Sequence, residues 1–184
     1  MSTTGIPVVL QPRAEACRSV TKWYSDSALL VCSFEHRAVP VGAPSSVAER
    51  IDAAFGISVT PPRALLGEVE LTWEDENRLH SIELRTGRSQ WERASLGAPN
   101  GTVEQALMTL GLDYDINGVA SVELDVHVLW DPTLARIALR FGKEERRTEH
   151  WFAIADNAFV DVDDAQMLRE IRFANVALIS DEPS

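Results

Sequence analysis

The alternating residues from Val122 to Phe141 constrain the fold of this chain more than any other stretch. Apolar side chains recur at every second position up to Trp130, a period that places them on one face of a β-strand. Asp131 and Pro132 then interrupt the pattern, because proline has no N–H to donate to a neighbouring strand. A second alternating run follows at once. The pattern therefore predicts an antiparallel hairpin at the centre of a sheet.

Further strands are predicted on both sides of this hairpin. Alternation over residues 23–34, 69–84 and 151–162 predicts three more hairpins, each with a polar or acidic turn at its centre. The segment from Leu168 to Ile179 fits both a strand and a helix, and a strand is favoured up to Phe173.

Two short helices are predicted beside the strands. Ser46 to Phe55 begins with a capping box, in which Ser46 and Glu49 satisfy each other's free backbone N–H, and it has an apolar face. Thr102 to Leu110 has the same features. The predicted fold class is therefore α+β, a mostly antiparallel sheet built from hairpins with two short helices packed on one face.

Residues 1–184 are predicted to form a single domain. It contains two similar halves, 17–87 and 113–179, joined by a loop and the second short helix over residues 88–112. This arrangement predicts two similar sheet units fused into one sheet.

The spacing of apolar residues suggests that the halves arose by internal duplication. Trp73 to Leu84 matches Val162 to Phe173, with an acidic turn in the same place. Trp23 to Phe34 matches Trp130 to Phe141 in the same way. The alternative is that any two amphipathic hairpins align this well.

The chain has 28 acidic and 17 basic side chains, which gives a net charge of −11. Such a charge repels a phosphate backbone, so nucleic-acid binding is not expected. It favours a basic protein partner, and the alternative is that it serves solubility alone.

The apolar runs are shorter than the ~20 residues that a membrane span needs. The first residues lack the basic segment of a signal peptide. We therefore expect a cytoplasmic protein without membrane contact, in which Cys17 and Cys32 are free thiols. A disulfide between the two cysteines is the alternative.

The pattern D-x-D-x-N-G formed by Asp113, Asp115, Asn117 and Gly118 resembles the start of a calcium-binding loop. Glu123 lies one position before the place of the usual bidentate glutamate. Calcium is therefore the one cofactor that the sequence suggests. The alternative is a plain Asn-Gly turn, which favours a hairpin.

Exposed tryptophan and arginine side chains are typical of protein interfaces, so Trp91, Arg93 and Trp151 are candidate interface residues. For Trp91 the alternative is that it folds back onto a sheet. The acidic runs add further candidates, for which the alternative is that they are hydrated turn residues: Glu74, Asp75, Glu76, Asp161, Asp163 and Asp164.

Two pieces of the chain, Asp131 to Phe141 and Asp161 to Phe173, each consist of a turn followed by a strand. In the first an aspartate turn precedes an alternating strand, and in the second an acidic turn precedes a strand of the type L-x-x-I-x-F. In this pattern the chain resembles the small YuzE-like family of uncharacterised bacterial proteins. The resemblance brings no known activity and no site residues.

The function predicted first is a non-enzymatic acidic protein-binding module, of the kind in which an immunity protein neutralises a basic toxin. The second hypothesis is a small enzyme or ligand-binding domain with a pocket between sheet and helices, where His127 or converging carboxylates would act. The third is a calcium-binding module through the loop Asp113–Gly118. An open sheet edge would also allow self-association by strand pairing.

Overall fold

A computed structural model describes residues 5–37, 61–74, 78–100, 103–142 and 150–179. Within these ranges the chain forms two β-sheets and one 3₁₀ turn, Arg88–Gln90, but no α-helix. The prediction of an α+β fold is therefore wrong, because the described part is almost entirely β-structure. In this part, no helix is long and apolar enough to cross a membrane.

The strands in chain order are β1 (Val8–Pro12), β2 (Cys17–Tyr24), β3 (Leu29–His36), β4 (Arg63–Leu66), β5 (Val69–Trp73), β6 (Leu79–Arg85), β7 (Glu92–Arg93), β8 (Glu104–Leu110), β9 (Val119–Val122), β10 (Val126–Asp131), β11 (Arg136–Phe141), β12 (His150–Ala155), β13 (Ala158–Val162), β14 (Leu168–Phe173) and β15 (Ala177–Ile179). The first sheet has the spatial order β1-β8-β12-β13-β14-β11-β10-β7. The second sheet has the order β15-β2-β3-β6-β5-β4-β9.

The inner faces of the two sheets share one hydrophobic core. Leu30 and Ile82 of the second sheet and Leu139 and Ile171 of the first are almost fully buried in it. Trp73 of β5 also links the sheets, since its Nε1 donates a hydrogen bond of 2.9 Å to the carbonyl oxygen of Met108 on β8. The two sheets therefore form a single packed unit.

The predicted hairpins are confirmed. β10 pairs antiparallel with β11 across the turn that Asp131 and Pro132 begin, and the alternating apolar residues face the core. The pairs β2–β3, β5–β6 and β12–β13 form the other three. The ambiguous segment from Leu168 is a strand up to Phe173, as favoured.

The helix predicted over Thr102 to Leu110 is wrong, because Glu104–Leu110 is strand β8. Its buried side chains are Ala106, Met108 and Leu110, which alternate with more exposed ones. A helix of this length is marginal by itself, whereas this segment lies between β1 and β12 and pairs with both. Tertiary pairing therefore decides its structure. The other predicted helix, Ser46 to Phe55, lies outside the described residues.

The two sheets repeat the same arrangement of five strands. In the second sheet, β2 to β6 lie in the order β2-β3-β6-β5-β4, and in the first, β10 to β14 lie in the order β10-β11-β14-β13-β12. All neighbours within these two sets are antiparallel. The repeat is therefore one of connectivity as well as of spacing.

Details of the repeat coincide with the positions that the sequence matched. The first turns end at Ala28 and Ala135, whose φ angles are 49° and 48°, in the left-handed region that few residues other than glycine adopt. The strand pairs β5–β6 and β13–β14 both have a register shift directly before their acidic turn. The shift lies at Trp73 in the first pair and at Val162 in the second. Two unrelated hairpins would not be expected to share both features.

Two short strands each follow one set of five strands in the chain but pair with the other set. β7 follows β6 in the chain, yet it pairs parallel with β10 of the first sheet. β15 follows β14, yet it pairs parallel with β2 of the second sheet. These crossings tie the two halves together.

Candidate functional site

An extended segment, Glu92–Gly97, covers part of the outer face of the first sheet, and we call it the strap. It begins as β7, and Ala94 continues the pairing by donating its N–H to the carbonyl oxygen of Trp130 at 3.0 Å. Leu96, which is 3% exposed, then packs on Leu129 and Ala138. The strap therefore buries a small apolar cluster on the face opposite the main core.

Three side chains of the sheet hold the strap by its main chain. Asp131 accepts a hydrogen bond of 2.9 Å from the backbone N–H of Leu96, and Arg136 donates one of 2.8 Å to the carbonyl oxygen of the same residue. Arg172 donates to the carbonyl oxygen of Gly97 at 2.8 Å. Side chains thus replace the strand pairing that ends at Ala94.

Asp131 also organises the turn between β10 and β11. Its Oδ1 accepts hydrogen bonds from the backbone N–H groups of Thr133 and Leu134. The hydrogen bond from Leu96 is the main reason that the pKa of Asp131 lies below its usual value, although burial opposes this. Asp131 is therefore held as a carboxylate that joins the turn to the strap.

A buried charge network lies beside the strap. The carboxylate of Glu170, which is 0% exposed, accepts hydrogen bonds from Arg172 through Oε1 and from Arg140 through Oε2. The Arg172 guanidinium also lies 4.4 Å from the ring centre of Trp151. Buried ion pairs of this kind add little net stability, but removing one partner is costly.

The second sheet has a groove on its outer face, with a volume of about 410 Å³. Its wall contains the half-buried side chains of Leu29 and Leu65 together with four charged residues: Glu68, Glu70, Glu83 and Arg85. We call this feature the acidic groove.

Two residues of the acidic groove, Leu29 and Glu83, stand where Arg136 and Arg172 stand in the first sheet, whereas Lys22 and Val31 stand at the positions of Leu129 and Ala138 under the strap. Glu83 lies between Val31 and Glu70 in the strand register. Arg172 lies in the same way between Ala138 and Phe159. Glu83 is therefore the structural counterpart of Arg172, the residue that binds the strap.

The floor of the acidic groove brings like charges together. Glu70 and Glu83 are directly opposite each other in the β5–β6 ladder, an arrangement that is normally destabilising. Arg63 lies 3.6 Å from Glu70, with both side chains about half exposed. Among the described residues, Glu83 has no ion-pair partner.

Trp91, predicted as an exposed interface anchor, packs between the two sheets. Its ring centre lies 5.1 Å from that of Trp23 on β2 and 5.7 Å from that of Trp130 on β10. Its Nε1 donates a hydrogen bond of 3.2 Å to Thr86. This arrangement corresponds to the alternative that Trp91 folds back. Arg93, in contrast, is exposed.

The other interface candidates differ in exposure. Trp151 and Asp161 are 4% and 1% exposed, and Asp161 accepts a hydrogen bond of 2.9 Å from the backbone N–H of His150. Asp164 is exposed and lies 2.7 Å from His150 Nε2. Glu74 is exposed beside His80, whereas Asp75 and Glu76 lie outside the described residues.

Asp163 is a turn residue rather than a free acidic group. Its carboxylate accepts hydrogen bonds from the backbone N–H groups of Ala165 and Met167 and pairs with Arg169. Burial alone would raise the pKa of Asp163, but the contacts with Met167 and Arg169 hold it below its usual value.

The suggested calcium loop folds as a turn. Asp115 Oδ1 accepts hydrogen bonds of 2.8 Å and 2.9 Å from the backbone N–H groups of Asn117 and Val119, which lower its pKa, Val119 having the larger effect. Asp113 and Glu123 are exposed. The described part of the chain has no group of three histidine, cysteine or acidic side chains placed to hold a metal ion.

The enzyme hypothesis placed its pocket between the sheet and two helices, and the segment 104–110 is not a helix. Cys17 Sγ lies 4.0 Å from His36 Nε2, and the same nitrogen lies 2.8 Å from the carbonyl oxygen of Leu79, to which it donates. Burial raises the pKa of Cys17, and it raises that of Cys32 to about 12. His127 is exposed on β10.

Sequence reasoning missed the strap and the acidic groove. Glu70 and Glu83 lie between the apolar residues of a hairpin that was predicted, so their position on its outer face was readable. Their direct opposition depends on the register shift at Trp73, which the sequence pattern does not specify. In the comparisons with known proteins, no family model matches this chain, and no curated protein matches it.

Proposed function

We propose that this protein is a non-enzymatic module that binds a basic protein partner by charge complementarity. The observation that carries the proposal is the opposition of Glu70 and Glu83 in a groove that the described residues of the second sheet form. Like charges at directly opposed positions lower stability, and a cation from a partner would relieve their repulsion.

The overall charge supports the same proposal. A net charge of −11 accelerates encounters with a basic protein and disfavours acidic ones. A toxin-neutralising immunity protein is one example of such a module, and a basic toxin would be the partner in that case.

The test is a titration of the full chain with purified proteins whose net charges range from strongly basic to strongly acidic. We expect saturable binding to basic proteins alone, weakening as salt is added. Binding that ignores the sign of the charge, or no saturable binding to any basic protein, would contradict the proposal.

A further inference from the structure

We propose that Asn117 is a self-modifying site: it loses its side-chain amide in a reaction with the backbone of Gly118, and the product loosens the turn that leads into strand β9. The site would exist whether or not the protein binds a basic partner. Its basis is an exposed Asn-Gly pair inside a turn that one residue, Asp115, holds closed.

The Asn-Gly pair lies at the exposed end of the connection between β8 and β9. Asn117 is exposed, and the side chain of Ile116 before it is fully exposed, so water reaches this turn. Gly118 has a φ of 71° and no Cβ that would hinder the approach of its nitrogen to the side chain of Asn117. The two reacting groups belong to adjacent residues, so no distant partner has to approach.

The reaction is a cyclisation followed by hydrolysis. The backbone nitrogen of Gly118 attacks the side-chain carbon Cγ of Asn117 and forms a C–N bond. The bond between Cγ and Nδ2 breaks, and Nδ2 leaves as ammonia with the proton that the Gly118 nitrogen gives up. Water then opens the succinimide ring at either carbonyl. One opening yields aspartate, and the other yields isoaspartate, whose main chain is longer because it runs through the former side chain.

Asp115 sets the rate, because its hydrogen bonds hold the reacting groups in place. Its main-chain carbonyl oxygen accepts a hydrogen bond of 3.0 Å from the N–H of Gly118, so the attacking nitrogen is occupied while the turn is closed. Its carboxylate Oδ1 accepts hydrogen bonds from the N–H groups of Asn117 and Val119, at 2.8 Å and 2.9 Å. The turn must therefore open before the reaction, and loss of this carboxylate makes opening easier.

The products disturb the same turn. Asn117 Nδ2 lies 3.5 Å from Asp115 Oδ2, so an aspartate at residue 117 would place a carboxylate where an amide now donates. Isoaspartate would shift Gly118, whose carbonyl oxygen accepts a hydrogen bond of 2.8 Å from the N–H of Arg63. This contact lies where the pairing of β4 with β9 begins. Because β9 is the last strand in the order of the second sheet, deamidation loosens an edge of that sheet.

Two other asparagines provide internal controls. Asn175 Nδ2 donates a hydrogen bond of 2.7 Å to Asn157 Oδ1, so each side chain is held by the other. They precede Ala158 and Val176, whose side chains hinder attack by the following nitrogen. Neither should react in the folded protein.

The test is mass spectrometry of peptides from the full chain after incubation at neutral pH, folded and in urea. In the folded protein we expect aspartate and isoaspartate to accumulate together at Asn117, and no change at Asn157 or Asn175. In urea, Asn117 should react faster, at the rate of Asn100, which also precedes a glycine. An Asn117 that stays intact in the folded protein, or aspartate without isoaspartate, would overturn the proposal.

Asp115→Ala tests the role of the turn. Its matched control is Asp113→Ala, which removes another exposed aspartate of the same loop. We expect Asn117 to react about fivefold faster in Asp115→Ala, because the turn loses hydrogen bonds, and within about twofold of the unmodified rate in the control. Equal rates in the two variants would refute the control by Asp115.

Hydrogen exchange tests the consequence. In Asn117→Asp and in the incubated protein, the amides of Val119 and Arg63 should exchange faster than before, whereas that of Ala94 on the first sheet should not. Asn100→Asp adds the same charge outside this turn and should leave all of these amides unchanged. Urea unfolding checks that each variant is folded. Unchanged exchange at Val119 and Arg63 would refute the loosening of β9.

Discussion

The outer faces of the two sheets have the same arrangement of strands, but the strap packs on one face and a groove lies on the other. On the first sheet, Asp131, Ala138 and Arg172 are 4%, 0% and 7% exposed next to the strap. On the second sheet, Glu83, the counterpart of Arg172, is only half-buried and lines the acidic groove. The inner faces and the turns maintain the shared framework, which leaves the outer positions free to diverge. The strap covers one face, and on the other the described residues form a groove.

The largest expected difference between the faces is at Arg172 and Glu83. Arg172→Met removes donors from the buried Glu170 and from the strap at Gly97, and should lower the free energy of unfolding by about 3 kcal/mol. Glu83→Met, at the equivalent position, should change it by less than about 0.5 kcal/mol. Urea unfolding measures both. Equal losses would show that the two faces do not differ in their contribution to stability.

The apolar contact of the strap should matter less than the charge network. Leu96→Ala removes a buried side chain that packs on Leu129 and Ala138, and it should lower the free energy of unfolding by about 2 kcal/mol. The substitution leaves a cavity on the face of the sheet that the strap only partly closes. The control is Leu178→Ala on β15, which is 41% exposed and should cost less than about 0.5 kcal/mol. If Leu96→Ala unfolds at the same urea concentration as the unmodified protein, the strap does not stabilise the first sheet.

Much of the framework was predictable because local patterns specify it. The hairpin turns and the alternating apolar residues placed most strands correctly, and the matches between Trp23 and Trp130 coincide with the observed repeat. Strand β8 was not predictable in this way. Val103, Leu107 and Leu110 fit a helical face, and only the distant partners β1 and β12 make the segment a strand.

The candidate site was harder to predict, since it depends on contacts between halves. Trp91 in an arginine-rich loop has the composition of an exposed anchor, but the crossing of β7 to the first sheet places it between Trp23 and Trp130. The same crossing forms the strap. Nothing in the sequence next to Glu70 or Glu83 indicates that these residues line a groove.

Asp131 provides a pH-dependent test of the strap. Its pKa in the folded protein lies below the unfolded value of about 3.9, so its charge stabilises the fold above that pH and the benefit is lost as pH falls through the folded pKa. Asp131→Asn should therefore be less stable than the unmodified protein at neutral pH, by less than Leu96→Ala, and the gap should close in acid. The second sheet has Tyr24 at this position and lacks the effect.

Urea unfolding at a series of pH values measures this gap. Glu104→Gln, which removes an exposed carboxylate without a partner among the described residues, is the control and should follow the unmodified protein. The carboxylates of Asp115 and Asp163, whose pKa values are also lowered, are present in both proteins and cancel in the comparison. A gap that stays constant into acid would mean that the charge of Asp131 does not hold the strap.

The smallest expected effect is at the acidic groove, and its sign is opposite. Glu83→Gln removes one of two directly opposed carboxylates and should stabilise the protein by about 0.2–0.5 kcal/mol in urea unfolding at low salt, with the gain shrinking as salt screens the repulsion. Glu104→Gln on β8 should show no such gain. The same Glu83→Gln variant should bind basic proteins less well, so stability and binding would change in opposite directions. Destabilisation by Glu83→Gln would instead mean that the carboxylate serves the fold, as the charges of the first sheet do.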